Sequence, residues 1–382
     1  MEFDFDFLPL FIVLILAWLC PVITSRIKFV KIPSVIIEIT AGIIIGPYVL
    51  DILPDADYMH FLSLSGFIFL MFLSGLEIDV HRIISSLPRR KLTIPRYLSN
   101  PLLVGITIFV ATLLLAIGGA YLLSNFVPIQ HIWYFSLIIS TSSVGVILPV
   151  LKERGEIQQH FGQMLVLAAA VADILSILLF TFTTSYIRNG LQYEVFLILS
   201  LFALFFITFQ IGKRIMNTKL MQKIQYQLAH AASQIKVRGT VVLILLFIIL
   251  SQWIDAEVIL GAFLAGILMS YFSQKDRSTL MMKLEGMGYG FFIPVFFIMV
   301  GAGIDFSVFQ NTTNLWLFIA VLFVLLYAIK ILPSMIWARL FGWNRALSGG
   351  ILLASRLSLI IAASQVGLDL GVITPAMNTS FI

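Results

Sequence analysis

Long apolar runs alternate with short polar stretches along the whole chain. About thirteen of these runs approach the roughly 17–25 residues that an α-helix needs to cross a bilayer. They cover approximately residues 8–25, 33–50, 59–78, 101–124, 131–151, 163–187, 193–212, 239–254, 256–272, 287–303, 314–338, 345–368 and 371 onward. The last run contains only 12 residues (371–382), so we expect the natural chain to continue. The pattern predicts an all-α polytopic membrane protein.

Composition supports this class, since 60% of the residues are hydrophobic and only 11% are charged. The net charge of +5 reflects topology rather than a nucleic-acid partner. With the N-terminus outside, 21 of the 24 Lys and Arg residues fall in inner loops and only Arg188 falls in an outer one. Cytoplasmic loops carry this excess in membrane proteins. We therefore predict a multi-pass cell-membrane protein with its basic loops facing the cytoplasm and anionic lipids.

Two short motifs recur along the chain. The segment around Gly42 is repeated around Gly266, and the segment around Gly75 is repeated around Gly301, at offsets of 224 and 226 residues. These repeats lie seven spans apart, and an odd number reverses their direction across the membrane. The pattern predicts the inverted-topology repeats of secondary transporters, with a substrate site near the midplane between discontinuous helices. Biased membrane composition is the alternative explanation.

Asp173 lies within an apolar run from Met164 to Thr184 that contains no other ionisable residue. A carboxylate at that depth is costly and marks a functional site by default. Lys330 lies at a similar depth in the eleventh run, so a salt bridge between the two is geometrically feasible. An arriving cation would then compete with Lys330 for the carboxylate. A static ion pair that only joins two helices is the alternative.

The fifth and twelfth runs both carry polar residues that weaken a helix. The fifth contains Ser140, Thr141, Ser142 and Ser143, whose hydroxyl and carbonyl oxygens suit a hard cation. The twelfth contains Arg356 between two serines. We predict two crossed discontinuous helices, with Arg356 offsetting the negative helix ends. The serines could instead bond back to their own helices.

The remaining acidic residues in and near the spans lie closer to span ends. Glu38 is a candidate accessory site residue, whereas solvated or capping roles are favoured for Glu77, Asp79 and Asp305. The sequence shows no phosphate-binding glycine loop, metal-ligand cluster or nucleophile constellation, so an enzyme is not expected. No resident cofactor is expected either.

Several longer segments resemble the second branch of the cation:proton antiporter superfamily, which contains sodium/proton and potassium/proton exchangers. The resemblance covers essentially the whole chain, and these segments are the clearest: 32–38 with Ala41–Gly42 and Gly46–Pro47, 69–79, 151–155 and 291–297. It implies a homodimer in which a core domain moves like an elevator past a dimerisation domain. Residues 1–80 and 239–310 would form the dimerisation domain, 98–187 and 314–382 the core, and 188–238 a linker helix and cytoplasmic connector.

The resemblance also implies roles for individual residues. Asp173 falls where these exchangers bind the ion and the proton, and Lys330 matches the lysine that some members pair with that aspartate. Thr141 and Ser142 fall in the unwound span that contributes oxygens. The position before the aspartate is Ala172, not a second carboxylate. That substitution predicts electroneutral exchange of one Na+ or K+ for one proton.

Two other functions are compatible with the sequence. A gated monovalent cation channel would carry currents far above the turnover of an exchanger. A sodium-coupled organic-anion symporter would use Arg356 to hold the anion, although the spans contain few polar residues for a large solute. A transport core governed by a cytoplasmic domain or subunit after residue 382 is a further candidate.

Overall fold

The computed structural model describes residues 6–26, 33–54, 56–87, 97–156, 158–190, 193–216, 234–254, 256–272, 277–305, 315–356 and 358–381. Every regular element in these ranges is a helix. The first nine are α1 Leu8–Arg26, α2 Ser34–Ile45, α3 Asp57–Glu77, α4 Val80–Ser85, α5 Pro101–Leu123, α6 Ile132–Ser140, α7 Val144–Glu153, α8 His160–Asn189 and α9 Tyr193–Met216. Most of the predicted connector 213–238 lies outside the described residues.

The second half of the chain continues the same pattern. Its helices are α10 Ile235–Trp253, α11 Val258–Phe272, α12 Arg277–Met287, α13 Ile293–Ala302, α14 Leu315–Ser334, α15 Ala338–Phe341, α16 Trp343–Ala354, α17 Ser358–Asp369 and α18 Pro375–Phe381. A π-helical turn, Gly288–Phe292, joins α12 to α13, and a 3-10 turn, Met335–Trp337, joins α14 to α15.

In the described part of the chain, eight helical segments are long and apolar enough to cross a membrane. Four shorter apolar segments accompany them: Ser34–Ile45, Ile132–Leu148, Ala203–Gly212 and Val258–Phe272. These helices confirm the predicted class, an all-helical polytopic membrane protein. The second predicted run, 33–50, was too long. Helix α2 ends at Ile45 because Gly46 has an extended backbone (φ −67°, ψ 169°) and Pro47 follows it.

The helices pack in two groups. Group A contains α1, α2, α3, α10, α11 and α13, and group B contains α5, α6, α7, α8, α14, α16 and α17. Helix α9 contacts α8 of group B and α11 of group A, while α3 touches α7 and α17 across the boundary. The division of the chain into a dimerisation domain and a core domain stays a prediction.

Four glycines allow the helices of group A to approach at backbone distance. Gly42 of α2 lies against the backbone of α13, and Gly301 of α13 lies against the backbone of α2. Gly75 of α3 and Gly266 of α11 face each other's helices in the same way. A Cβ atom at any of the four would overlap a main-chain oxygen of the facing helix. Small residues at such contacts are characteristic of membrane helix packing.

These glycine contacts are related by the sequence repeat. The repeat matches Gly42 with Gly266 and Gly75 with Gly301. Gly42 and Gly301 form the contact between α2 and α13. Their counterparts in the repeat, Gly266 and Gly75, form the contact between α11 and α3. Two copies of one motif therefore pack around each other, as in a pseudo-two-fold arrangement.

Candidate ion-binding site

Two interrupted helices meet in group B. Helix α6 ends at Ser140 and α7 begins at Val144, while α16 ends at Ala354 and α17 begins at Ser358. The Ser142 hydroxyl donates a hydrogen bond to the Leu353 carbonyl oxygen at 3.1 Å. Each interruption therefore lies against the end of the opposite half-helix, which positions polar backbone groups where only buried protein surrounds them.

Arg356 joins the two interruptions. Its Nε donates to the Thr141 carbonyl oxygen at 2.9 Å, and one terminal nitrogen donates to the Leu326 carbonyl oxygen at 3.2 Å. The other terminal nitrogen, Nη1, is buried without a hydrogen-bond partner among the described residues. The guanidinium thus satisfies the Thr141 carbonyl, which the broken helix leaves without an intrahelical donor, and adds a second donor to the Leu326 carbonyl within α14. Its partners are backbone oxygens.

Asp173 lies in the middle of α8 with 5% of its surface exposed. Its Oδ2 accepts a hydrogen bond from the Val144 backbone N–H at 3.3 Å, at the first residue of α7. The N-terminus of a helix carries a partial positive charge, which stabilises a carboxylate placed there. The other oxygen, Oδ1, is buried without a hydrogen-bond partner among the described residues. One carboxylate oxygen is therefore held by the protein and the other is open to a ligand.

Lys330 is 1% exposed and lies against the other side of the same interruption. Its Nζ donates to the Ser140 carbonyl oxygen at 2.6 Å and to the Ser142 hydroxyl at 2.7 Å. This places a cation at the negative C-terminal end of α6.

The predicted salt bridge between Asp173 and Lys330 is not formed in this structure. Neither side chain makes an ion pair with a described residue. The physical reason is that Lys330 already donates to two oxygens, and Asp173 takes its donor from the α7 backbone. Asp173 contacts the start of α7 and Lys330 contacts the end of α6, so the two side chains lie on opposite sides of the same break.

The hydroxyls of the fifth span divide into two kinds. Ser140 and Thr141 donate back to their own helix, to the carbonyls of Leu137 and Ile138, each at 2.9 Å. Ser142 instead bridges to Leu353, and Ser143 is buried with no hydrogen bond to a described residue. A hydroxyl that donates still has lone pairs, so Thr141 and Ser142 remain able to coordinate a cation.

Glu38 is not brought together with these residues. It lies in the wall of a separate cavity of about 460 Å³ between α1, α2 and the π-helical turn. Trp18 and Tyr289 line the same cavity, and Ser34 donates a hydrogen bond to the Glu38 carboxylate. A direct accessory role at the Asp173 site is therefore not supported by the geometry.

Two acidic residues near span ends have different surroundings. Asp79 caps α4, accepting from the backbone N–H groups of His81 and Arg82, which agrees with the capping role favoured for it. The Glu77 carboxylate instead lies beside Gly145, and a Cβ at that glycine would be 3.0 Å from Oε2. Glu77 thus brings a second carboxylate from group A to the first turn of α7. The sequence did not predict this contact, because Glu77 lies at the end of a span and reaches Gly145 only through the packing of α3 against α7.

The sequence matches the protein family described as "Sodium/hydrogen exchanger, transmembrane" over residues 12–382. It is 37% identical over 381 residues to a protein of Bacillus subtilis (strain 168) whose name assigns Na+/H+ antiport; 98% of this chain and 60% of that protein are covered. It is 26% identical over 392 residues to the Na+/H+-K+ antiporter GerN of Bacillus cereus, covering 100% of this chain and 92% of GerN.

The fold is similar to that of the sodium proton antiporter NhaP1 of Methanocaldococcus jannaschii. The TM-score is 0.66 at 15% sequence identity, and the match covers 97% of this chain and 91% of the NhaP1 chain. This likeness shows the antiporter fold. The chain spans 60% of the length of the Bacillus subtilis relative.

Proposed function

Since the chain belongs to the sodium/hydrogen exchanger family, we propose that it exchanges Na+ or K+ for a proton, with Asp173 as the shared binding group. Membership in this family confirms the resemblance found in the sequence and the prediction of a transporter rather than an enzyme. The observation that supports the proposal most is that Asp173 Oδ1, buried beside a broken helix, has no hydrogen-bond partner in the part of the chain that the structure describes.

The cation would bind to oxygens supplied by the first interruption. Asp173 Oδ1 provides the negative charge, and Thr141 and Ser142 provide neutral oxygens, with Ser143 as a further candidate. Such oxygen ligands suit a hard monovalent cation. The relatives' names include both Na+/H+ and Na+/H+-K+ antiport, so both ions are proposed as substrates.

Lys330 would act as a competitor at this site. It already holds the Ser142 hydroxyl, which the cation would need. A bound cation and the Lys330 ammonium repel each other, so binding is favoured when Lys330 withdraws. The alternation of cation and proton on one carboxylate, with Ala172 as its neighbour, makes the exchange one for one and electroneutral.

Transport would proceed by alternating access. Thirteen spans with inverted-topology repeats would place the crossed half-helices near the midplane. Group B would carry Asp173 past group A, which would form the interface of a homodimer. The charge asymmetry of the loops supports an N-terminus on the outside.

The proposal is tested by proton flux in proteoliposomes that contain the 382-residue chain. Na+, K+, Li+ and Rb+ are added in turn, with and without an imposed membrane potential. We expect cation-dependent proton flux whose rate does not change with the potential. Flux that scales with the potential would contradict electroneutral exchange, and current without proton flux would indicate a channel.

A further inference from the structure

An ion pair joins the two helix groups at one end of the bundle. Arg188, in the last turn of α8, contacts Glu257 with 3.1 Å between Nη2 and Oε1. Glu257 directly precedes α11 of group A. Arg188 is also the one Lys or Arg residue that falls in the predicted outer loops.

The pair is connected to the ion site by a single helix. Asp173 and Arg188 both lie on α8, about 22 Å apart along its axis at 1.5 Å per residue. Helix α11 packs closely against α3 through Gly75 and Gly266. The contact therefore ties the helix that carries the binding carboxylate to the most tightly packed helices of group A.

Two further polar residues of group B interact with this ion pair. Asp369 at the end of α17 and Tyr134 of α6 both interact electrostatically with Arg188 and Glu257. Asp369 and Glu257 are both acidic, so Arg188 is the positive group that interacts with two carboxylates. The arrangement depends on Arg188 more than on either acid alone.

Burial makes the two partners unequal. The Glu257 side chain is 10% exposed, whereas that of Arg188 is 42% exposed. Loss of Arg188 would leave a buried carboxylate without compensation, which is strongly unfavourable. Loss of the Glu257 charge would leave a guanidinium that water reaches.

We propose that the Arg188–Glu257 pair is an inter-group latch that stabilises this conformation and must open in every transport cycle. The inference rests on the alternating-access function proposed above, because only relative movement of groups A and B requires the pair to separate. With the N-terminus outside, the latch lies on the outer side.

The asymmetry of the latch gives a specific test with three variants. Arg188→Gln leaves Glu257 uncompensated, Glu257→Gln removes the buried charge, and the third variant combines both. We expect Arg188→Gln to open the contact most, because it leaves Glu257 uncompensated. Glu257→Gln should weaken the contact less, and the double variant should be no more open than Arg188→Gln. Arg188→Lys keeps the charge and should preserve the contact.

Hydrogen–deuterium exchange of peptides containing Arg188 and Glu257 measures the contact without relying on transport. Arg188→Gln should raise uptake there by roughly threefold to tenfold, a range typical for loss of one partner in a partly buried pair. Arg82→Gln is the control, because it breaks the more exposed Arg82–Asp79 pair within one helical turn. Equal uptake in all variants, or additive effects in the double variant, would overturn the latch.

Exchange activity separates the latch from the function on which it rests. Arg188→Gln should change the rate of cation–proton exchange by about threefold or more, and the double variant should change it no further. Altered deuterium uptake with a wild-type exchange rate in Arg188→Gln would overturn the role of the latch in the cycle. Absence of exchange in the wild type would instead contradict the proposed antiport.

Discussion

Both helix groups bring helices into close contact, but they do so with opposite chemistry. In group A, Gly42, Gly75, Gly266 and Gly301 bring apolar helices together at backbone distance. In group B, the crossing is made by polar groups, with Ser142 and Arg356 bonded to carbonyls of the opposite half-helix. The first arrangement gives rigidity by close packing. The second keeps polar atoms at membrane depth, where they can serve an ion.

The largest effect is expected from filling a glycine contact in group A. Gly75→Val would force a side chain into the backbone of α11. We expect it to lower the free energy of unfolding by about 3 kcal/mol or more, since the facing backbone cannot yield as a side chain could. Thermal unfolding in detergent measures the change.

Gly118→Val is the matched control for this prediction. Gly118 lies on an exposed part of α5, and a Cβ there meets nothing within 4 Å. Its unfolding temperature should remain close to that of the wild type. If Gly75→Val and Gly118→Val were equally stable, the close glycine contacts would not be what stabilises group A.

A smaller effect is expected from removing the guanidinium at the polar crossing. Arg356→Met leaves the buried Thr141 carbonyl without its side-chain donor. A buried acceptor that loses its partner costs about 1–3 kcal/mol, and the rate of exchange should fall because the two breaks are no longer held together. Arg345→Met, at an exposed position of the adjoining helix α16, should leave both stability and exchange unchanged. A stable, active Arg356→Met variant would show that the crossing does not depend on this residue.

The smallest expected effect is a change in cation affinity at Lys330. Lys330→Met removes a positive charge beside the break, so a cation should bind more tightly. We expect the apparent KM for the cation to fall by roughly threefold to tenfold, given the screened repulsion between two nearby charges. Lys283→Met, on an exposed position of α12, is the control. Unchanged KM and turnover would make Lys330 a structural residue.

The membrane class and the separate residues of the site could be predicted from the sequence. Ionisable groups in apolar runs are so costly that Asp173, Lys330 and Arg356 stand out individually. The hydroxyl-rich segment of the fifth span also identified where that helix breaks. These signals are local, so one sequence is enough to read them.

Side-chain pairing was not predictable to the same degree. Similar depth suggested a direct bond between Asp173 and Lys330, but each side chain is satisfied by groups of the break itself. Glu77 was missed because its contact with Gly145 depends on how α3 packs against α7. Depth along a helix axis follows from residue number, whereas the direction a side chain faces depends on the packed neighbours.

The most direct test of the account is a measurement of protons released when a cation binds. The purified 382-residue chain in weakly buffered detergent is titrated with NaCl or KCl, with choline chloride as the control for ionic strength. If Asp173 exchanges a proton for the cation, the wild type should release close to one proton per cation bound at a pH low enough for Asp173 to be protonated before the cation is added. Asp173→Asn should release none. Proton release that persists in a folded Asp173→Asn variant would contradict the central claim.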